Sequence, residues 1–183
     1  MKAKLQEEIQ LPNGVTATNT QGIITMKGPK GESTRSIKDP AVNIKLDNNT
    51  ITLSTAKGTK RQKRIINTYV AHLQNMIHGV QQPYTYLLKI CSGHFPMNVS
   101  ISGTQLTIKN FLGEKSPRTL TLKKNVSIKI EGDLIAIESP NKELAGQMAS
   151  DIELLTAKAN RDLRVFQDGI YMIEKAGKKI FEP

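Results

Sequence analysis

The stretch Val42–Ser54, VNIKLDNNTITLS, decides how the chain is to be read. Apolar residues alternate with polar ones through Val42, Ile44 and Leu46, pause at Asn48-Asn49, and resume at Ile51 and Leu53. Period-two alternation broken by a turn dipeptide predicts an antiparallel hairpin. The pattern returns 84 residues later as VSIKIEGDLIAIE, Val126–Glu138, with Glu131-Gly132-Asp133 at the turn. Such a match raises the question of a duplicated unit.

The neighbouring segments answer it. Before the first hairpin, GIITMKG (Gly22–Gly28) enters a turn, KGPKGE (Lys27–Glu32). Before the second, MNVSISG (Met97–Gly103) and QLTIKN (Gln105–Asn110) flank Gly103-Thr104 and run into KNFLGEK (Lys109–Lys115). These two turns stand at matching places, two residues out of register. After the first hairpin, Ile65, Tyr69, Leu73, Met76 and Val80, with Ile66, Val70 and Ile77, form one apolar stripe of an amphipathic helix. Gly79 is its expected stop. After the second, Leu144, Met148, Ile152 and Leu155 define another helix, with Asn141 after Pro140 as N-cap.

Hairpin, hairpin, helix thus occurs twice, and Gln81-Gln82-Pro83 interrupts the periodicity between them. The expected fold is α+β, a tandem duplication of two similar domains, residues 1–83 and 84–183. Each half is large enough for a modest core of its own. One helix per unit cannot cover both faces of a sheet. Each domain is therefore expected to be an antiparallel β-sheet packed on a single α-helix, with strand edges and loops left for partners.

Composition narrows the function. The 183 residues carry 26 Lys and Arg against 16 Asp and Glu, a net charge of +10, which favours a polyanionic partner. Aromatics make up 4% with no Trp, which argues against an aromatic ligand pocket or stacking platform. A single cysteine, Cys91, excludes an internal disulfide framework and suits a reducing compartment. The amino-terminal residues contain no apolar signal-like region, and no apolar run is long enough for a membrane span. A soluble intracellular protein is expected.

Chemical motifs are weak. Cys91 and His94 have the spacing of half a zinc site, but no second cysteine pair completes it. As a thiol and its base they lack an orienting third group. Gly28–Gly31, GPKG, has the GxxG spacing of a KH-domain clamp, yet here it joins two strands and reads as a hairpin turn. No phosphate-cradling glycine motif is present, so nucleotide hydrolysis has no support in the sequence, and with motifs this weak no cofactor or metal is expected. Two basic stretches remain. Ala56–Arg64, AKGTKRQKR, places Lys57, Lys60, Arg61, Lys63 and Arg64 at a helix start, where cations oppose the helix dipole. Asn160–Met172, NRDLRVFQDGIYM, mixes Arg161 and Arg164 with Asp162 and Asp168 around Val165, Phe166 and Ile170; Arg forks there could serve Asp or phosphate.

The stretches HLQNMIHGV, HFPMNVSISGTQLTIKNFLGEKSPRTLTL and LRVFQDGIY together resemble the family of the sixth protein of the large ribosomal subunit, in its archaeal and eukaryotic branch. The resemblance runs over almost the whole chain. It implies a non-enzymatic constituent of the large subunit, in the cytoplasm, bound to the large-subunit rRNA near the factor-binding side. Its implied partners are that rRNA and neighbouring ribosomal proteins, with no DNA, membrane or small-molecule substrate. It also implies that the second domain makes the main RNA contacts. The matching positions are Gly113, Glu114, Lys115 and Arg118 in one loop, and Arg161, Arg164, Phe166, Gln167, Asp168 and Gly169 in another. On this reading Phe111 and Leu112 seat the first loop while Lys115 and Arg118 meet the RNA backbone. Lys57, Lys60, Arg61, Lys63 and Arg64 would be a secondary contact. Pro83 stands where the family has glycine and Leu87 where lysine is common, so the family's RNA contact is not carried over to that segment.

Charge and resemblance disagree about which half binds. Residues 1–83 hold 12 Lys/Arg against 5 Asp/Glu, and residues 84–183 hold 14 against 11. Net charge favours the first half; resemblance favours the second, where rigid loops can hold cations in place. The competing readings are a basic protein–protein adaptor, a generic RNA binder outside the ribosome, and a small hydrolase built on Cys91 and His94.

Overall fold

The computed structural model describes residues 4–47, 49–56, 58–93, 95–158, 161–162 and 164–180. The chain divides into two compact units, Met1–Pro83 and Tyr84–Pro183.

The first unit runs β1 (Leu5–Gln10), β2 (Thr16–Thr20), β3 (Ile23–Gly28), β4 (Gly31–Ser36), β5 (Asn43–Asp47), β6 (Thr50–Thr55) and α1 (Lys60–Gln81). Its strands form two antiparallel sheets, β2-β3-β4 and β1-β6-β5. The alternation read in the sequence has its physical counterpart here. Ile24 and Met26 of β3, and Ile51 and Leu53 of β6, are fully buried together with Ile66, Leu73 and Val80 of α1. Residues 28–31 form a two-residue hairpin turn between β3 and β4. That turn sits against the end of α1, where the Lys30 amide donates to the Val80 carbonyl at 3.0 Å.

Helix α1 does not stop at Gly79. It continues to Gln81 with Gly79 buried in its last turn. The terminator is Pro83, since a residue before proline is driven out of the helical region. Gln82 accordingly has φ −135° and ψ 112°.

The second unit runs β7 (Tyr84–Cys91), β8 (Asn98–Ser102), β9 (Gln105–Lys109), β10 (Arg118–Thr121), β11 (Ser127–Glu131), β12 (Leu134–Ser139), α2 (Lys142–Leu155), β13 (Gly169–Lys175) and β14 (Lys178–Lys179). Again there are two antiparallel sheets, β8-β9-β10 and β11-β12-β7-β13-β14. The first six strands and the helix repeat the order of unit 1, so the duplicated α+β design holds. In each repeat the strands are shared between two sheets. Asn141 caps α2, its side-chain oxygen accepting from the amides of Glu143 and Leu144. The helix buries Ala145, Met148, Ala149 and Ile152 against β7, β12 and β13.

Two departures from the repeat matter for the site. β7, which sequence reading passed over as connecting chain, is the central strand of its sheet, with Tyr84, Tyr86, Leu88 and Ile90 buried. β13 then pairs along the far edge of β7, Gly169 opposite Cys91. Nothing pairs with β1 in that way among the described residues of unit 1. The added strand brings residues 161–162 and 164–168 back to the end of unit 2 where β7 finishes.

Candidate RNA interface

Three loops meet at that end: residues 92–93 and 95–97 after β7, residues 110–117 between β9 and β10, and residues 157–158, 161–162 and 164–168 before β13. The Asn110 side-chain amide donates to the Pro96 carbonyl at 3.1 Å, joining the first two. The Asp168 carboxylate accepts from the Gly93 amide, joining the first and third.

The middle loop is strained and firmly held. Asn110, Leu112 and Gly113 all have left-handed backbone, with φ of 60°, 50° and 77°. Such conformations cost a non-glycine residue roughly 1 kcal/mol or more and persist only where the surroundings impose them. Phe111 imposes them here, lying in the core of unit 2 with 1% exposure. Leu112 packs at the edge of the same core. Gly113 lies against Phe95, and a Cβ at Gly113 would stand 3.4 Å from that ring.

Arg118 completes the clamp. Its Nε and Nη2 donate to the two carboxylate oxygens of Glu114 at 2.8 and 2.6 Å, and its Nη1 donates to the Leu155 carbonyl at 2.6 Å. The guanidinium also lies over the Phe111 ring. This bidentate bond, and to a lesser extent the charge of Arg161, holds the Glu114 carboxyl below its ordinary range. Arg118 therefore has most of its donors occupied within the protein, whereas the sequence reading gave it to the RNA backbone. Lys115, three residues earlier, is exposed and forms no ion pair among the described residues.

The third loop is pinned from below. Lys158 Nζ donates to the Phe166 carbonyl at 2.6 Å, Tyr171 Oη donates to the Gln167 carbonyl at 3.1 Å, and the Ile170 amide donates to Thr156 Oγ at 2.9 Å. Gly169, expected among the contact residues, is buried. A Cβ there would come within 3.1 Å of the Tyr171 ring, so its part is to admit that ring. Asp168 is buried too, and serves Gly93. Of the expected contact residues in this loop, Arg161, Arg164 and Gln167 are the exposed ones. Arg161 lies 4.9 Å from the centre of the Phe166 ring. Arg164 forks onto Asp162 at 2.9 and 3.2 Å, an arrangement that lowers the Asp162 carboxyl. The Arg164 side chain is nonetheless 90% exposed, so the pair is readily opened by a competing anion.

Of the residues expected at the interface, the structure thus brings Gly113, Lys115, Arg161, Arg164 and Gln167 together as exposed groups. Arg118 and Gly169 support them from beneath. Sequence reasoning missed Lys158, Thr156 and Tyr171, whose contacts cross many positions and leave no local pattern. It quoted Phe95 only as part of a motif.

The basic run of the first unit lies elsewhere in its own fold. Thr59 caps α1 by accepting from the Gln62 amide at 3.3 Å, and no acidic residue occupies the first turn. Lys60, Arg61, Lys63 and Arg64 are exposed and form no ion pairs among the described residues; Lys57 lies outside them. Cys91 is partly buried at the end of β7, and His94 also lies outside the described residues. No group of three or more His, Cys, Asp or Glu placed to hold a metal occurs among the described residues.

Known proteins share this chain's pattern. A family model described as ribosomal protein L6 matches residues 11–83 and 95–169, one stretch in each unit. The chain is 42% identical over 186 residues to the large ribosomal subunit protein uL6 of Nanoarchaeum equitans, covering 97% of each. It is 39% identical to the uL6 of Methanococcus vannielii, over 96% of this chain and 97% of the relative. To the uL6 of Methanocella arvoryzae it is 38% identical, over 96% of this chain and the whole relative.

Proposed function

The chain belongs to the ribosomal protein L6 family, a non-enzymatic structural constituent of the large ribosomal subunit, and from that premise we propose that residues 84–183 are its principal rRNA-docking domain. It works in the cytoplasmic ribosome, with rRNA and other ribosomal proteins as partners. The observation that carries the proposal is the three-loop end of unit 2, where Lys115, Arg161 and Arg164 project from a backbone fixed by buried side chains. Cations held at defined positions can select an RNA shape, because phosphate contacts set register only when their spacing is rigid. Arg118, Glu114, Asp168 and Gly169 hold the loops in place.

The first unit has the larger net charge, and Lys60, Arg61, Lys63 and Arg64 stand on one exposed helix end. This run supports a secondary, less selective contact that follows total charge and falls with salt. Neither unit recruits DNA, a membrane or a small-molecule substrate on this reading, and the interface belongs to the factor-binding side of the subunit.

Expressing each half separately tests the division of roles. Residues 84–183 should fold and prefer a large-subunit rRNA fragment over a scrambled one. Residues 1–83 should bind both alike, with affinity collapsing as salt rises. Selective binding by the first half alone would overturn the assignment.

A further inference from the structure

Two apolar side chains stand in water at the loop end of unit 2. Phe95 is 43% exposed and Val165 72%. Together with Gly93, Leu112, Phe166 and Gln167 they border a pocket of about 300 Å³. Isolated exposed apolar residues need no explanation, but two on the rim of one concave pocket do. The chain has four phenylalanines in all, too few to predict an aromatic site from composition. Even so, Phe95 and Phe166 line this pocket, and Phe111 anchors the loop beside it.

The surroundings specify an occupant. The walls are mostly apolar, with the rings of Phe95 and Phe166, which suits a flat ring; Asp168 also lines the pocket, its carboxylate taken up by the Gly93 amide. Arg161 lies over Phe166, one wall of the pocket, and Arg164 and Lys115 lie close in sequence to the lining residues Val165 and Leu112, so cations neighbour it. The Gln167 amide nitrogen donates to the Arg164 carbonyl at 3.3 Å, which leaves its oxygen for a donor on a ligand edge. An apolar peptide side chain would suit the walls but gain nothing from the cations. A base attached to a phosphate backbone uses both.

Resting on the reading that this end of unit 2 meets rRNA, we infer that the pocket receives one unstacked nucleobase of the large-subunit rRNA. The base stacks on Phe95 and Phe166, while Lys115 and Arg161 meet the flanking phosphates. Exposed side chains framing a preformed slot can take a base without rearrangement of the core beneath them.

The test separates stacking from charge, because stacking releases no counterions. The full-length protein is titrated with large-subunit rRNA transcribed in vitro, over a range of salt concentrations, as wild type, Phe95→Ala, Phe95→Trp and Lys115→Ala. Phe95→Ala should weaken binding about 10-fold, with the wild-type salt slope, and Phe95→Trp should restore it. Lys115→Ala should reduce the slope by about one unit. Ultraviolet crosslinking of the wild-type complex, read by mass spectrometry, should place a nucleotide on Phe95 or Phe166. Wild-type affinity in Phe95→Ala alongside a weakened Lys115→Ala would overturn the slot and leave the docking reading intact. Normal binding of Phe95→Ala to naked rRNA with poor retention in assembled particles would assign the pocket to a neighbouring protein, which also overturns it. No preference of the wild type for large-subunit rRNA over scrambled RNA would overturn both.

Discussion

The guanidinium carbon of Arg118 lies 4.3 Å from the centre of the Phe111 ring. This contact joins the two halves of the loop between β9 and β10. Phe111 fixes its start in the core, and Arg118 fixes its end to Glu114 and the Leu155 carbonyl. A cation with no evident role but charge in the sequence is a structural fastener in the fold. The exposed Lys115 between them inherits a rigid mount.

Arg118→Ala and Lys115→Ala should consequently behave differently. Removing Arg118 leaves Glu114 without its bidentate partner, the Leu155 carbonyl without its donor and Phe111 without its cation. The expected cost is roughly 1–2 kcal/mol of stability, since the site is partly exposed to solvent. Lys115→Ala should leave the urea midpoint unchanged and lower only the salt slope of RNA binding. Equal midpoints for both variants would show that the Arg118 clamp carries no stability.

The two neighbouring phenylalanines should separate just as clearly. Phe111 is fully buried, and Phe111→Ala should cost about 3–5 kcal/mol in equilibrium unfolding. Phe166 is only half-buried under Arg161. With a face open to the pocket, Phe166→Ala should cost about 1–2 kcal/mol. A larger loss at Phe166 than at Phe111 would contradict the burial.

Acid stability should depend on Glu114. The Arg118 hydrogen bond holds its carboxyl below the ordinary value, so the folded state binds this proton more weakly than the unfolded chain. Its stabilising contribution is therefore complete above the unfolded value of about 4.3 and is lost as pH falls through the lower folded value. In Glu114→Gln that part of the acid limb should disappear. Unfolding free energy measured from pH 6 downward checks it; identical pH dependence in both proteins would show that the bridge does not persist in solution.

In the first unit, Gly28→Ala should disturb the seat of α1. An added Cβ would stand 2.8 Å from both the Val80 carbonyl oxygen and its Cγ2 atom. The backbone oxygen already accepts from Lys30 and cannot yield without losing that bond. The expected loss is about 1–3 kcal/mol, as for other overpacked sites. A neutral outcome in a melting experiment would mean that the hairpin turn and the helix end move apart easily.

Much of this protein is legible in its linear pattern because burial on one face imposes a period. The hairpins at Val42–Ser54 and Val126–Glu138, the stripe of α1 and the Asn141 cap each depend on residues a few positions apart. Edges and centres of sheets are less legible. β1, Leu5–Gln10, has only Leu5 and Ile9 to mark it, and charged Glu7 and Glu8 obscure the alternation. β7 was hidden for another reason: Tyr84, Tyr86, Leu88 and Ile90 do alternate, but Leu87 blurs the pattern and the strand follows directly on Pro83, where the chain reads as a segment between domains. Only the tertiary structure decided which cations remain outside. Arg118 and Lys115 are equally charged in sequence, but Glu114 and Phe111 of their own loop and Leu155 of α2 converge on one of them. The same convergence gathers Phe95 and Phe166 from segments some 70 residues apart. Local patterns report what each segment buries, while a site formed by loops depends on contacts between segments, and those exist only once β13 has paired with β7.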